Sequence, residues 1–324
     1  MPKMNNQLMK IGVLFVLLLV LSFVLVHFNV TSCSSFSYVG CDIYYSLVAG
    51  GKPKIMIVQG DEGLGDPEFL FQTLRGPKFS ARATLKHIDL VSLPLLRENS
   101  IVIVEKAREM SVEDIKMFMD YVNLGGKMVW VGDAGTKTPL DESDDNYFLS
   151  FENRGSEQNG FIGPWARRNG DFQVSLDYLL GVNFKSNYCD LVDCSNNGLI
   201  GHLNIVDSDE KIVYGISQGL PLYGNFSIVE TSSEAYQSAL AFMDNGTDLI
   251  ATPPTEYFWL NSGRTNFGGE FPVIVSSGVG GRVVYYAFPP EYFVSDEMPI
   301  DEDTGERIQY WALFENMYYG MLYK

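Results

Sequence analysis

The chain has 324 residues, 46% of them hydrophobic and 19% charged, which excludes a disordered polymer and leaves ample length for a buried core in one large domain or two smaller ones. A formal net charge of −17 and a pI near 4.5 exclude nucleic acid and anionic lipid headgroups as partners, since both would be repelled. The balance suits a solvated surface outside the cell.

The first segment, "MPKMNNQLMK" (1–10), carries Lys3 and Lys10, and residues 11–30, "IGVLFVLLLVLSFVLVHFNV", are apolar without an acid, lysine or arginine. A helix of about 20 such residues spans the hydrocarbon core of a bilayer. No lysine or arginine follows before Lys52. Residues 1–10 are therefore expected in the cytoplasm, 11–30 in the membrane, and the remainder outside. A cleaved signal peptide has a shorter apolar region, of about 7–15 residues. It stays open as an alternative, as does lipidation of Cys33, which follows small residues in "VTSC". Residues 31–52 read as a stalk and 53–324 as one extracytoplasmic α/β domain.

The four cysteines fit that address. Cys33 and Cys41 lie close together, as do Cys189 and Cys194, and two local disulfides are the simplest of three connectivities. No Cys-x-x-Cys spacing points to a metal. Sequons begin at Asn29, Asn225 and Asn245; Asn225 and Asn245 are the expected glycosylation sites, Asn29 lying close to the membrane.

Within the domain, "KIMIVQG" (54–60) is an apolar run bounded by glycine and predicts a buried strand. "DPEFLFQTLR" (66–75) predicts a helix with Asp66 as N-cap and Pro67 in its first turn. "SIVIVEK" (100–106) is a second buried strand. In "SVEDIKMFMDYVNLGG" (111–126), Ser111 and Asp114 form a capping box and Gly125-Gly126 a stop. Ile115, Phe118, Met119 and Val122 share one helical face. "KMVWVGD" (127–133) is the next strand. Such alternation predicts a doubly wound, mostly parallel sheet with helices on both faces. Residues 137–200 are polar and turn-rich and read as an insertion or cap, with a short helix near "SLDYLLG" (175–181). "DLIATPP" (248–254) resumes the strands. "FPVIVSSGVGGRVVYYAFPPEYF" (271–293) is two strands joined by a turn at Gly278 to Gly281. "ERIQYWALFENMYYGML" (306–322) closes the chain as an amphipathic helix.

The stretch "SVEDIKMFMDYVNLGGKMVWVGDAG" resembles the helix and strand that lead to the nucleophile elbow of class I glutamine amidotransferase-like domains. "SLDYLLGVNF" and the ending "FPVIVSSGVGGRVVYYAFPPEYF" with "FENMYYGML" are similar to segments of the non-amidotransferase members. The resemblance covers roughly 53–324 and implies a flavodoxin-like fold. It also implies where chemistry would sit: a Gly-x-Cys-x-Gly elbow whose cysteine is activated by a distant His-x-Glu pair. Here the elbow reads Gly132-Asp133-Ala134-Gly135, with no cysteine. Past residue 30 the histidines are His87 and His202, followed two places on by Asp89 and Asn204. Glutaminase chemistry is not expected.

Open α/β sheets bind ligands at the carboxyl ends of their strands. Asp133, Asp61, Glu62, Asp66 and Glu105 all follow predicted strands there and are the candidate binding residues, with Asp133 the candidate nucleophile or base. Convergence of these acids would suit a divalent cation; the alternative is a turn cap among solvated acids. "GDEGLGD" (60–66) lacks the spacing and lysine of a phosphate cradle. Asp301, Asp303 and Gly305 match part of a calcium loop, yet Ala312 stands where its glutamate belongs, so no cofactor is expected beyond a weak calcium ion. Trp165 and exposed tyrosines are candidates for stacking on sugars. The expectation is a membrane-anchored binding or assembly module, inactive at its elbow, with an envelope protein or a glycan as partner. The alternative is a carboxylate- or metal-dependent hydrolase using Asp133.

Overall fold

The computed structural model describes residues 2–27, 51, 53–79, 81–137, 164–169, 172–194, 198–231, 238–255, 260, 263–296, 298–300 and 305–322. Cys33, Cys41, Asn29, Asp301 and Asp303 lie outside the described residues, as do residues 138–163 of the expected insertion.

The first element, α1 (Pro2–His27), is a helix. Its apolar side chains, Phe15, Leu17 and Val20 among them, stand exposed. Among the described residues no helix is long and apolar enough to cross a membrane.

The domain is mixed α/β, built on a nine-stranded sheet in the order β2-β1-β3-β4-β13-β12-β11-β8-β9. Its strands are β1 (Lys54–Gln59), β2 (Arg82–His87), β3 (Ile101–Val104), β4 (Met128–Val131), β8 (Leu199–Ile205), β9 (Leu220–Tyr223), β11 (Ser238–Ala251), β12 (Thr265–Ser277) and β13 (Val283–Tyr286). From β2 to β13 neighbouring strands run parallel; beyond β13 every pairing is antiparallel. The expected strands 54–60, 100–106 and 127–133 form the parallel half. Every residue of β3 and β4 is buried, which is why both read as unbroken apolar runs.

Helices α2 (Pro67–Arg75), α3 (Leu93–Arg97) and α4 (Val112–Asn123) connect the parallel strands. The capping box of α4 is present: Ser111 Oγ accepts from Asp114 N and the Asp114 carboxylate accepts from Ser111 N, both at 3.0 Å. Asp66 caps α2 by accepting from Phe69 N at 3.0 Å. Strand order reverses at β1, which has β2 on one side and β3 on the other. Right-handed crossovers then put α2 on one face of the sheet and α3 and α4 on the other. The closing helix α6 (Trp311–Leu322) packs Phe314 and Tyr318 edge-on against Phe79, which follows α2.

That helix begins at Trp311 rather than Glu306. The amide of Ile308 donates to Pro299 O at 2.9 Å and that of Tyr310 to Phe293 O at 2.7 Å, so these residues are committed to neighbouring loops. Over the sheet lie a hairpin, β5 (Ala166–Asn169) with β6 (Phe172–Ser175), and the expected short helix, α5 (Leu176–Leu180). Strand β7 (Val182–Asn187) follows and pairs with β10 (Ser227–Thr231), so this layer reaches past residue 200.

Candidate functional site

The elbow after β4 is folded into the interior. Gly132 adopts φ +57, and a Cβ there would stand 3.0 Å from the Cβ of Leu64, so the turn requires glycine. The two indoles Trp130 and Trp165 both donate to Ala134 O, at 2.9 and 2.8 Å. The Arg167 guanidinium donates to the carbonyls of Met110, Gly135 and Pro164. Trp165, a candidate for sugar stacking by sequence, is thus a buried brace: it is 0% exposed, and its N–H is used inside the protein.

Asp133 is 2% exposed. Its Oδ1 accepts from Leu64 N at 2.8 Å and its Oδ2 from Asn187 Nδ2 at 3.0 Å, while Arg108 Nε lies 3.6 Å from Oδ2. Asn187 in turn accepts from Ser227 Oγ at 2.9 Å, extending the network to β10. Burial pushes the Asp133 carboxyl above its ordinary value, against the pull of these donors. The side chain ties together the loop after β1, the elbow and the end of β7. No face of it is open to a substrate.

The loop 60–66 crosses the carboxyl ends of β1 and β3, the switch point where open sheets commonly hold ligands. Its backbone pairs with the segment after β3: Gly60 N donates to Lys106 O, Lys106 N to Leu64 O and Arg108 N to Glu62 O, at 2.8–3.0 Å. Two residues past the Leu64 amide held by Asp133, the Asp66 amide donates to Glu291 Oε1 at 2.6 Å. Glu291 is 1% exposed and Glu105 is 0% exposed. A Cβ on Gly65 would meet Glu105 Oε2 at 3.2 Å and Glu291 Oε1 at 3.4 Å, so the two carboxyls lie together under the loop. Among the described residues, neither oxygen of Glu105, nor Oε2 of Glu291, meets a donor from any other residue. Burial, and then the charge of Glu291, push Glu105 well above its ordinary value. Burial pushes Glu291 up to about 7, moderated by the Asp66 amide. Two such groups side by side hold a shared proton at neutral pH rather than two charges.

The five acids singled out by sequence do not converge. Asp61 is exposed and lies 3.4 Å from His87 Nε2, whose Nδ1 faces Asp89 at 3.2 Å. Glu62 pairs with Lys137 at 2.6 Å on the surface, and Asp66 caps α2. Glu105 and Asp133 are buried on opposite sides of Leu64. His202 is exposed on β8, away from the elbow. Among the described residues no group of three or more His, Cys, Asp or Glu could hold a metal ion. Sequence reasoning missed Glu291, the partner of Glu105. The available signal was a lone acid inside the apolar run 283–294.

A second feature is concave. A pocket of about 380 Å³ is lined by Tyr223, Asn225, Tyr292, Ser295, Met298 and the Cys189–Cys194 disulfide. The disulfide is one of the two expected. Asn225 Oδ1 accepts from Cys189 N at 3.0 Å, and Ser227, the third residue of that sequon, is fully buried. Asn245 lies partly exposed within β11.

No family model matches the chain, and no curated protein matches it. Similar solved structures include a ThuA-like protein from Bacteroides uniformis ATCC 8492, at 14% identity over 83% of this chain and 92% of that one, with a TM-score of 0.46. Another ThuA-like protein, from Parabacteroides merdae ATCC 43184, is 15% identical over 83% and 88% of the two chains, with a TM-score of 0.39. A GMP synthase protein from Thermoplasma acidophilum is 9% identical over 84% and 94%, with a TM-score of 0.38. At these scores the likeness says nothing about activity.

Proposed function

We propose that the protein is a single-pass membrane protein that displays a non-catalytic α/β domain outside the cell, where it binds an envelope protein or a glycan. The burial of Asp133 carries this reading. At the elbow, where a related enzyme would keep its nucleophile, the chain has an acid whose two oxygens accept from Leu64 N and Asn187 Nδ2. Using it as a nucleophile or base would require breaking those bonds and lifting loop 60–66, which weighs against the hydrolase reading. The uncharged run 11–30, the lysines preceding it and the Cys189–Cys194 disulfide support the anchor and an oxidising compartment.

Two measurements test the proposal. The full chain, extracted from membranes and supplied with glutamine, is expected to release no ammonia, and to bring a partner with it when purified. Glutamine turnover that disappears in Asp133→Asn would overturn the non-catalytic reading. Protease added to intact cells is expected to remove the domain, and full protection would overturn its placement outside.

A further inference from the structure

The described residues that line the pocket beside the Cys189–Cys194 disulfide are neutral. Among the described residues its lining includes no charged side chain, although the chain as a whole carries a formal charge of −17. An anion would be repelled by that field, and a cation would find no carboxylate among the described lining residues. What the lining offers instead is two phenol rings, Tyr223 and Tyr292, with the thioether of Met298 and the amide of Asn225. Tyrosine presents a large rigid face and a polar edge at low entropic cost, which suits a ligand with both C–H faces and hydroxyl rims.

The polar part is oriented in advance. Asn225 Oδ1 is occupied by Cys189 N–H at 3.0 Å, and no hydrogen bond within the described residues uses its Nδ2. The amide is therefore fixed as a donor toward a ligand oxygen. Cys189, which holds it, is itself tied to Cys194 across a separation of 5 residues. Tyr292, whose ring lies 3.8 Å from where a Cβ on Gly224 would stand, sits in the 3-10 turn Pro290–Val294, next to Glu291, whose carboxyl accepts from the Asp66 amide. Asn225 and the turn that carries Tyr292 are thus fixed by bonds that do not involve the ligand, which lowers the ordering cost of binding. The volume of about 380 Å³ lies near the lower end for small-molecule sites. It suits one or two rings rather than an enclosed polymer.

We infer that this pocket, in chains whose Asn225 carries no glycan, binds a neutral sugar unit, stacked on Tyr223 or Tyr292 and hydrogen-bonded by Asn225 Nδ2. The inference rests on the binding-module reading and names its ligand class.

The test uses the full chain in a detergent without a sugar headgroup, titrated by calorimetry with glucose, galactose, mannose and N-acetylglucosamine. Glucuronic acid and glucosamine serve as charged counterparts. At least one neutral sugar is expected to bind more tightly than either charged one. Tyr292→Ala and Asn225→Asp are each expected to weaken it by at least about tenfold. Asn225→Asp keeps the acceptor for Cys189 N–H while removing the donor, so it reads the ligand contact even where Tyr292→Ala unfolds the turn. No neutral sugar bound at about 10 mM would overturn the inference. So would a bound sugar indifferent to both substitutions, or a preference for a charged one. If the sugars are silent but a protein partner still co-purifies, the binding module stands and this pocket falls. Chemical turnover of a bound sugar would instead remove the non-catalytic reading.

Discussion

Asp133 and the Glu105–Glu291 pair sit a few residues apart under the same loop, equally buried, and they solve the problem of a buried carboxyl in opposite ways. Asp133 is given donors: a backbone amide, a side-chain amide and a nearby guanidinium. Glu105 is given another acid, and its two oxygens meet no donor from elsewhere. The first arrangement can carry a charge inside the protein; the second can be accommodated only with a proton. Burial alone does not say what a carboxyl does. The count of donors around it does.

The largest way to break this contrast is to remove Asp133. Asp133→Ala leaves the Leu64 amide and Asn187 Nδ2 without their acceptor and takes a carboxylate away from beside Arg108. The expected loss is about 3–5 kcal/mol, read as a lowered denaturation midpoint in urea. Asp133→Asn keeps an oxygen for Leu64 N and should cost clearly less. A loss below about 1 kcal/mol for the alanine variant would show that the loop is held by other contacts.

The second prediction concerns pH. Glu105 and Glu291 have folded pKa values raised above the ordinary 4.5, Glu291 to about 7. The folded state therefore binds protons more tightly than the unfolded state, and stability falls as pH rises through that interval. The decline should begin above about pH 4.5 and continue through about 7, reaching about 3 kcal/mol for Glu291 alone. Glu105→Gln replaces the protonated acid with an amide that still donates to Glu291. It should flatten the decline and raise stability at pH 8. A stability that instead rises between pH 5 and 8 in the wild-type chain, unchanged in the variant, would mean that the pair holds no proton.

The smallest expected effect lies on the outside of the same loop. Lys137 bridges Glu62 at 2.6 Å and Glu109 at 3.1 Å, all three half-exposed. Lys137→Ala should cost less than about 1 kcal/mol, and the difference should vanish in high salt. A larger, salt-independent loss would place this surface pair on the same footing as the buried ties.

The parallel half of the sheet was legible because β3 and β4 are buried on both faces and α4 carries its own start and stop signals. Strand β2 was not, since "RATLKH" lies at the sheet edge with Ala83 as its one buried residue. The antiparallel strands β8 and β9 and the first ten residues of the long β11, ahead of the expected strand at 248–254, were missed for a related reason. Their burial alternates or lapses, so no unbroken apolar run marks them. The candidate site was legible in its residues but not in its arrangement. Asp133, Glu105 and Asp66 were named from their places after strands or at a helix cap, whereas Glu291, 225 residues beyond Asp66, could be joined to them only by folding.

By itself the sequence determined what chemistry the elbow lacks, because a missing cysteine and a missing His-x-Glu pair are facts of composition that no fold can restore. It also determined the capped helix and the buried strands, whose signals are local. Only the tertiary structure decided which acids are charged, which are protonated and which are merely wet. A carboxyl's state depends on the donors and the solvent around it, and those come from segments that meet only when loop 60–66 closes over the strand ends.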